Sequence, residues 1–254
     1  MNAIALRLAV LPLIPLLYLD GKKLRKSITP LPEAKNPIGQ ITGQFSRELK
    51  LVILGESTMA GVGVESHDQG FAGHLSSALS TLSQASITYN VMAKNGYTAA
   101  KVGQRLIKNV PKDADIIVIG LGGNDAFALN SPSKWNASIR EIISLLRNRI
   151  GPEVPIFFTN MPPIKEFPAF TSRMQFALGN WVEYLGAQLH KLIQAYPNSY
   201  YDHEILSLDH FAKELDAGTD KRLLFSDGIH PSALTYQLWA NRFAKFILAK
   251  KPLF

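Results

Sequence analysis

Short apolar runs alternate, from residue 48 onward, with longer segments in which apolar side chains recur every three or four positions. The short runs predict strands at residues 50–54, 87–92, 116–121 and 156–159, and a fifth near Tyr200. The longer segments predict helices over residues 70–82, 99–108, 133–149, 175–196 and 232–250. Such alternation is typical of βαβ units with right-handed crossovers. The pattern therefore predicts a doubly wound α/β domain whose functional site lies beyond the carboxyl ends of parallel strands.

The amino-terminal arm, residues 1–26, differs from the rest of the chain. Residues 3–19 are almost entirely apolar, and the basic residues Lys22, Lys23, Arg25 and Lys26 follow them. As a helix, this run would span about 26 Å, at the short limit for crossing a bilayer. Arg7, Pro12 and Pro15 disfavour a regular spanning helix. The basic cluster suits anionic lipid headgroups and would hold the following domain on the cytoplasmic side.

We therefore predict that residues 1–26 are a membrane anchor that either spans the bilayer or lies in its interface, that the protein is membrane-associated, and that the membrane surface is a partner through residues 3–26. One alternative is that the arm packs on the domain or on a second subunit. A signal peptide is the other, although its basic residues would precede the apolar run. Residues 27–47 contain Pro30, Pro32 and Pro37 and predict a linker or a strap, so the catalytic domain covers residues 48–254.

Composition and charge narrow the classes of function. A length of 254 residues fits one large α/β domain after the arm. The absence of cysteine excludes disulfides and thiolate metal sites. Five of the seven net positive charges fall in the first 50 residues. The domain itself lacks the basic face interleaved with aromatic residues that is typical of nucleic-acid binding, so we expect no nucleic-acid partner.

Ser57 is the candidate nucleophile. It follows the predicted strand at residues 50–54 within Gly55-Glu56-Ser57, and a glycine-rich turn comes after it. Serine needs a base within hydrogen-bonding distance, and the base needs a group that orients it. Asp227 and His230 lie three residues apart in the loop before the last predicted helix, where the carboxylate can hold one imidazole nitrogen while the other faces the serine. We predict these three residues as the catalytic set.

A serine mechanism also needs hydrogen-bond donors that stabilise the tetrahedral oxyanion. Two turns at the ends of predicted strands offer such donors, residues 95–98 and residues 122–125. In the second turn we expect Asp125 to have a capping role rather than a chemical one.

Four short blocks resemble, in their order, the sequence blocks of the SGNH (GDSL-type) hydrolase family. They are Gly55-Glu56-Ser57 with Gly61, then Gly96, then Gly122-Gly123-Asn124-Asp125, then Asp227-Gly228-Ile229-His230-Pro231. The resemblance implies a three-layer, flavodoxin-like α/β fold with a central parallel five-stranded sheet. It implies ester hydrolysis by Ser57, with His230 as base and Asp227 orienting it.

The same resemblance implies an oxyanion hole made of the Ser57 and Gly96 backbone N–H groups and the Asn124 side-chain amide. It implies no metal and no organic cofactor. One residue departs from the family pattern, because Glu56 stands where the family usually has aspartate.

Residues 161–170 form an apolar, proline-rich loop at the carboxyl end of a predicted strand, and such loops often line a pocket. Phe167 and Phe170 in this loop, together with Ile229, are the candidate substrate-binding residues, although both phenylalanines could be ordinary packing residues. We predict a serine esterase that acts on a small-molecule or lipid ester with a short, medium or lipid-like acyl group, a lysophospholipid included. The alternatives are a carbohydrate O-deacetylase, an acyltransferase on the same fold, and a non-catalytic membrane-interaction module. The sequence does not indicate an oligomeric state.

Overall fold

A computed structural model of the protein describes residues 3–43, 45–215 and 220–251. Its strands are β1 Ile38–Ile41, β2 Glu48–Gly55, β3 Ser86–Ala93, β4 Ile116–Gly120, β5 Ile156–Phe158 and β6 Ser199–Tyr201. Its α-helices are α1 Ala3–Val10, α2 Ile14–Ser27, α3 Phe71–Ser83, α4 Ala99–Arg105, α5 Gly123–Phe127, α6 Pro132–Ile150, α7 Ser172–Ile193, α8 Leu208–Leu215 and α9 Ala233–Lys250. Short 3-10 helices occupy Leu11–Leu13, Ile107–Asn109, Ile164–Glu166 and Lys221–Leu224.

The sheet confirms the predicted fold class. Its strand order is β1-β3-β2-β4-β5-β6, and the five strands from β2 to β6 are parallel. Without β1, this is the order of a flavodoxin-like sheet, in which ligands bind where the strand order reverses. That point lies between β2 and β4, where Gly55 is in register with Gly120. The added strand β1 pairs antiparallel with β3 and lies within the predicted linker or strap at residues 27–47.

Buried side chains cover both faces of the sheet and so produce three layers. On β2, Val52 and Leu54 face the cluster packed by α4, α6 and α7, while Leu51 and Ile53 face the cluster packed by α3 and α9. Successive side chains of a strand point to opposite faces, and a strand covered on both sides must therefore be apolar throughout. Every residue of β4 is buried for this reason.

The prediction of a membrane-associated protein with its domain on the cytoplasmic side is wrong. Within the parts of the chain described above, no helix is both long and apolar enough to cross a membrane. The apolar run of the arm is divided between α1 and α2, with Pro12 in the 3-10 turn between them. Leu6 and Val10 are buried in the core cluster that α7 also joins, which is the packing alternative noted for the arm.

Candidate active site

Ser57 lies on a tight turn directly after β2, at the edge of the sheet where the parallel strands end. Its neighbour Glu56 donates its backbone N–H to the Gly120 carbonyl at 3.1 Å, which joins the turn to the end of β4. A Cβ atom at Gly55 would lie 2.2 Å from the same carbonyl oxygen, so this close approach requires glycine. The backbone carbonyl of Ser57 accepts the N–H of Val62 at 3.1 Å, and Ser57 is half-buried.

Asp227 and His230 form the predicted pair. The Oδ2 atom of Asp227 lies 2.8 Å from His230 Nδ1, and Oδ1 accepts the backbone N–H groups of Ile229 at 2.9 Å and of His230 at 2.8 Å. Burial alone would raise the pKa of Asp227, but these hydrogen bonds outweigh it and hold the pKa below its usual value. An ionised Asp227 keeps the proton of neutral His230 on Nδ1 and leaves Nε2 free to accept another.

Two hydrogen bonds fasten the loop that carries His230 to the turn that carries Ser57. Ser226 donates its hydroxyl to the Gly63 carbonyl at 2.9 Å, and Tyr236 of α9 donates its hydroxyl to the Val62 carbonyl at 2.8 Å. The backbones approach so closely that a Cβ atom at Gly63 would lie 2.5 Å from the Pro231 carbonyl oxygen.

Ser57 and His230 are thus on two fastened segments, although in the described part of the chain no hydrogen bond joins their side chains directly. Such bonds are often long in a free enzyme and shorten when substrate binds. The catalytic roles of Ser57, Asp227 and His230 stay predictions.

Asn124, the predicted oxyanion donor, lies at the start of α5 and is held by Glu56. The two carboxylate oxygens of Glu56 accept the backbone N–H groups of Gly123 at 2.7 Å and of Asn124 at 3.0 Å. Burial raises the pKa of Glu56 to about 8, although both donors act in the opposite direction. The Asn124 side-chain amide donates to the Tyr97 carbonyl at 3.0 Å, and a side-chain hydrogen bond from Asn124 to Glu56 also opposes the effect of burial on the pKa of Glu56.

Gly96, another of the three predicted donors, precedes Tyr97 in the turn that Asn124 contacts. It is exposed, it adopts φ +78°, and a Cβ atom placed on it would meet nothing within 4 Å. Its left-handed backbone is the reason for a glycine, and the space before it is open. Asn124 and Gly96 therefore lie, like Ser57, at the carboxyl end of the parallel strands.

Asp125 has the capping role expected of it. Its Oδ2 accepts the backbone N–H of Ala99, the first residue of α4, at 2.8 Å, and its Oδ1 accepts the Asn130 amide at 2.7 Å. Burial raises the pKa of Asp125, while these two donors favour its ionised form. Asp125 thereby ties the segment after Gly96 to the turn of Asn124, so two of the three predicted oxyanion donors share one support.

A small cavity of about 40 Å³ lies between Glu56 and Thr58, the two neighbours of Ser57, and the loops after β4, β5 and β6, and Ser57 itself is not among its lining residues. Its lining is mainly apolar and includes Leu121, Phe167, Phe211, Phe225, Ile229 and Trp239. Phe170 does not line the cavity and instead packs against the Phe127 and Phe167 rings at centroid distances of 5.7 Å and 5.3 Å. Two of the three predicted substrate-binding residues are therefore at the cavity, and the third supports one of them.

Sequence reasoning did not assign the residues that hold these segments together. Glu33 accepts the backbone N–H of Asn95, one residue before Gly96, at 2.7 Å, and Ser226 and Tyr236 fasten the nucleophile turn. Each is a common polar residue that binds a backbone group far away in the sequence, so no local spacing marks it. No cluster of three His, Asp or Glu side chains that could hold a metal ion occurs among the residues that the structure describes.

Comparison with known proteins gives a match to one family model. The model of the GDSL-like lipase/acylhydrolase family matches residues 53–238, a range that contains all of the predicted catalytic and oxyanion residues. No curated protein matches the sequence.

Among solved structures, the lipase Lip_vut3 from a goat rumen metagenome is 20% identical with a TM-score of 0.58, over 77% of this chain and 97% of that one. A lipase/acylhydrolase from Enterococcus faecalis is 21% identical with a TM-score of 0.52, over 80% and 98% of the two chains. A family two carbohydrate esterase from Clostridium thermocellum, in complex with cellohexaose, is 16% identical with a TM-score of 0.55, over 82% and 66%. At these identities the likenesses establish the fold.

Proposed function

The chain belongs to the GDSL-like lipase/acylhydrolase family and is a carboxylic ester hydrolase, and we propose that it works through an acyl-enzyme on Ser57. The observation that carries the proposal is the contact of 2.8 Å between Asp227 and His230 Nδ1, in a loop fastened to the Ser57 turn. With Nδ1 occupied, His230 presents Nε2 as the base for the serine proton.

The reaction then proceeds in two halves, acylation of Ser57 and hydrolysis of the acyl-enzyme. Ser57 Oγ attacks the ester carbonyl carbon while His230 Nε2 accepts the hydroxyl proton, and the oxyanion is stabilised by the N–H groups of Ser57 and Gly96 and the amide of Asn124. Collapse breaks the carbon–oxygen bond to the alcohol, and His230 returns the proton to that leaving oxygen. In the second half, water replaces the alcohol and repeats these steps to release the acid.

The cavity beside Ser57 favours a short acyl group. A cavity needs roughly 10–15 Å³ for each water-sized group, so about 40 Å³ accommodates about three such groups. Its apolar lining suits a hydrocarbon chain rather than a charged one. We propose that acetyl to butyryl esters are preferred, and that longer acyl chains require side chains such as Phe167 and Phe211 to move.

Replacing the nucleophile tests the mechanism. We expect Ser57→Ala to abolish labelling by a fluorophosphonate probe and to lower kcat/KM for p-nitrophenyl acetate by about 10⁴-fold or more, because the covalent step is lost. Ser77→Ala, an exposed serine of α3, is the matched control and should behave as wild type. Turnover that persists in Ser57→Ala would show that another residue is the nucleophile.

A panel of p-nitrophenyl esters from acetyl to decanoyl, with an acetylated sugar beside it, measures the substrate class. A maximum at two to four carbons is the expected result, and a maximum at eight or more would contradict the proposed acyl site. Adding an alcohol to the same assay separates the alternative acyltransferase, which would form the new ester faster than it forms free acid.

A further inference from the structure

We propose that residues 24–31 of the chain form the subsite for the leaving alcohol, and that Arg25 selects an alcohol that carries a carboxylate or a phosphate. This inference rests on the proposed roles of Ser57 and His230. It concerns a part of the chain that lies before residue 53, where the match to the family model begins.

The observation is a second, open pocket of about 200 Å³ between the end of α2 and the candidate site. One wall comes from the arm and the segment after it, with Leu24, Arg25, Ile28, Pro30 and Leu31, and the other comes from Asn95, Asp227, Ile229 and His230. The pocket thus touches both the proposed base and the residue before Gly96.

The place of His230 assigns this pocket to the alcohol. The base must return its proton to the leaving oxygen, so the alcohol lies against His230 at the moment the ester bond breaks. The acyl chain has the separate cavity beside Ser57, and Ile229 lines both spaces. An ester that spans the two would place its acyl part against Phe167 and its alcohol part against Ile28.

The arm wall is held in place by a buried carboxylate. Asp20 is 5% exposed, and it accepts hydrogen bonds from the Arg173 guanidinium at 3.0 Å and 3.2 Å and from the Thr171 hydroxyl at 2.9 Å. The bonds from Arg173 hold the pKa of Asp20 below its usual value. Because Thr171 is the N-cap of α7, the arm is fastened beside the loop that contains Phe167.

A second carboxylate fixes the chain beyond the pocket. Glu33 accepts the backbone N–H of Asn95 at 2.7 Å and the Lys94 ammonium at 2.8 Å. Residues 24–31 therefore run between two anchored points, which are Asp20, bound at the start of α7, and Glu33, bound to the turn that contains Gly96. A wall fixed at both ends is a defined surface on which an alcohol can be recognised.

The chemistry of the wall indicates the class of alcohol. Leu24, Ile28 and Leu31 are apolar, and Arg25 is the only arginine or lysine among the described residues that line the pocket. The Arg25 side chain is exposed and has no carboxylate partner within the described ranges of the chain. A guanidinium binds carboxylate and phosphate groups through paired hydrogen bonds. An alcohol with an apolar body and an anionic group is complementary to this surface.

Two acetyl esters that differ in the charge of the leaving phenol test the proposal. They are 4-acetoxybenzoate, whose leaving phenol carries a carboxylate, and its methyl ester, whose leaving phenol is neutral. We expect Arg25→Ala to lower kcat/KM for the anionic ester about tenfold relative to the neutral one, mainly through KM, because a partly exposed charge-assisted contact is lost. Arg25→Lys should retain part of the preference.

Lys26→Ala is the matched control, because it removes the same charge from the next residue, which does not line the pocket. The proposal is wrong if the ratio of the two esters in Arg25→Ala equals that of wild type, or if Lys26→Ala lowers it equally. The neutral ester distinguishes a failure of the proposed Ser57 mechanism from a failure of the proposed alcohol subsite. Its turnover in wild type and its loss in Ser57→Ala test the mechanism, whereas only the ratio tests the subsite.

Discussion

Glu56 is the residue at which the sequence departs from the usual aspartate of the family, and its longer side chain reaches across from the end of β2 to the start of α5. There it accepts two backbone N–H groups, those of Gly123 and Asn124. Two such donors favour a carboxylate, whereas burial opposes it and raises the pKa to about 8. The residue that supports Asn124 therefore titrates within the range in which the protein is assayed.

The free energy of unfolding should therefore depend on pH through Glu56. Between about pH 5 and pH 8 the folded protein keeps a proton on Glu56 that the unfolded chain, with a carboxyl pKa near 4.5, has released. The folded state binds more protons there, so the free energy of unfolding falls as the pH rises through this window. We expect Glu56→Gln to remove that fall, which amounts to several kcal/mol at about 1.4 kcal/mol per pKa unit.

Urea unfolding at three pH values across that window measures the effect, as the difference between the slopes of wild type and variant. Glu65→Gln, an exposed acid of the same turn, should keep the slope of wild type. If wild type and Glu56→Gln lose stability in parallel, the two N–H donors hold Glu56 ionised and the prediction fails.

Among individual residues, the sequence predicted contacts between near neighbours in the chain and did not predict contacts between distant ones. Asp227 and His230 are three residues apart, so one loop brings them into contact, and spacing alone indicated the pair. Glu33 and Tyr236 bind backbone groups 62 and 174 residues away. A contact of that kind depends on how elements pack, and a Glu or a Tyr in isolation does not specify its partner.

Among the elements, α9 does more than cover one face of the sheet. Tyr236 is fully buried on it and donates to the Val62 carbonyl, which fastens the helix to the turn of Ser57. The helix that follows His230 is thereby joined to the turn that carries the proposed nucleophile. Burial raises the pKa of this tyrosine, so its hydroxyl remains a donor at any assay pH.

Removing this hydroxyl should affect both stability and rate. In Tyr236→Phe the buried Val62 carbonyl loses its donor, which costs about 1–3 kcal/mol in urea unfolding. Because the Ser57 turn is then less well placed, we expect kcat for p-nitrophenyl acetate to fall about tenfold with little change in KM. Tyr200→Phe, a tyrosine of β6 that stacks on Phe157, is the control. A kcat within twofold of wild type would show that α9 does not position the nucleophile.

The elements that the sequence predicted are those with a long or continuous apolar pattern. β4 is a run of five buried residues and α7 spans 22 residues, so each gives a clear signal. β1 was not predicted because it has only four residues, lies at the sheet edge and has no buried position. α5 was not predicted because it has only five residues, and its first N–H groups are accepted by Glu56, 67 and 68 residues away in the sequence.

In the whole molecule, the arm shows where reasoning from one segment fails. Residues 3–19 are apolar enough to be interpreted as a membrane anchor, yet Leu6 and Val10 are buried in the core cluster with α7. The interpretation as an anchor did not take account of Asp20, whose partners Thr171 and Arg173 lie more than 150 residues away. That pairing is not visible in the sequence, since it exists only after the domain has folded.

Releasing the arm should therefore change specificity without removing the proposed catalytic residues. Asp20→Ala breaks the contacts with Thr171 and Arg173, so we expect faster trypsin cleavage after Lys22 and Lys23. We also expect a fall in the ratio of anionic to neutral acetoxybenzoate turnover, as in Arg25→Ala. Asp113→Ala removes an exposed acid paired with Lys50 at 2.5 Å and should change neither measurement.

The double variant with Asp20→Ala and Arg25→Ala decides whether the two residues act together. If Asp20 serves to hold Arg25 at the pocket, then the second substitution has nothing left to remove. The fall in the ratio of anionic to neutral ester turnover in the double variant should then equal the fall in the stronger single variant, not the product of the two single effects. Multiplicative effects would mean that Arg25 reaches the alcohol without the docked arm. In that case the arm would stabilise the domain and Arg25 would act from a free segment, which contradicts a subsite wall fixed by Asp20.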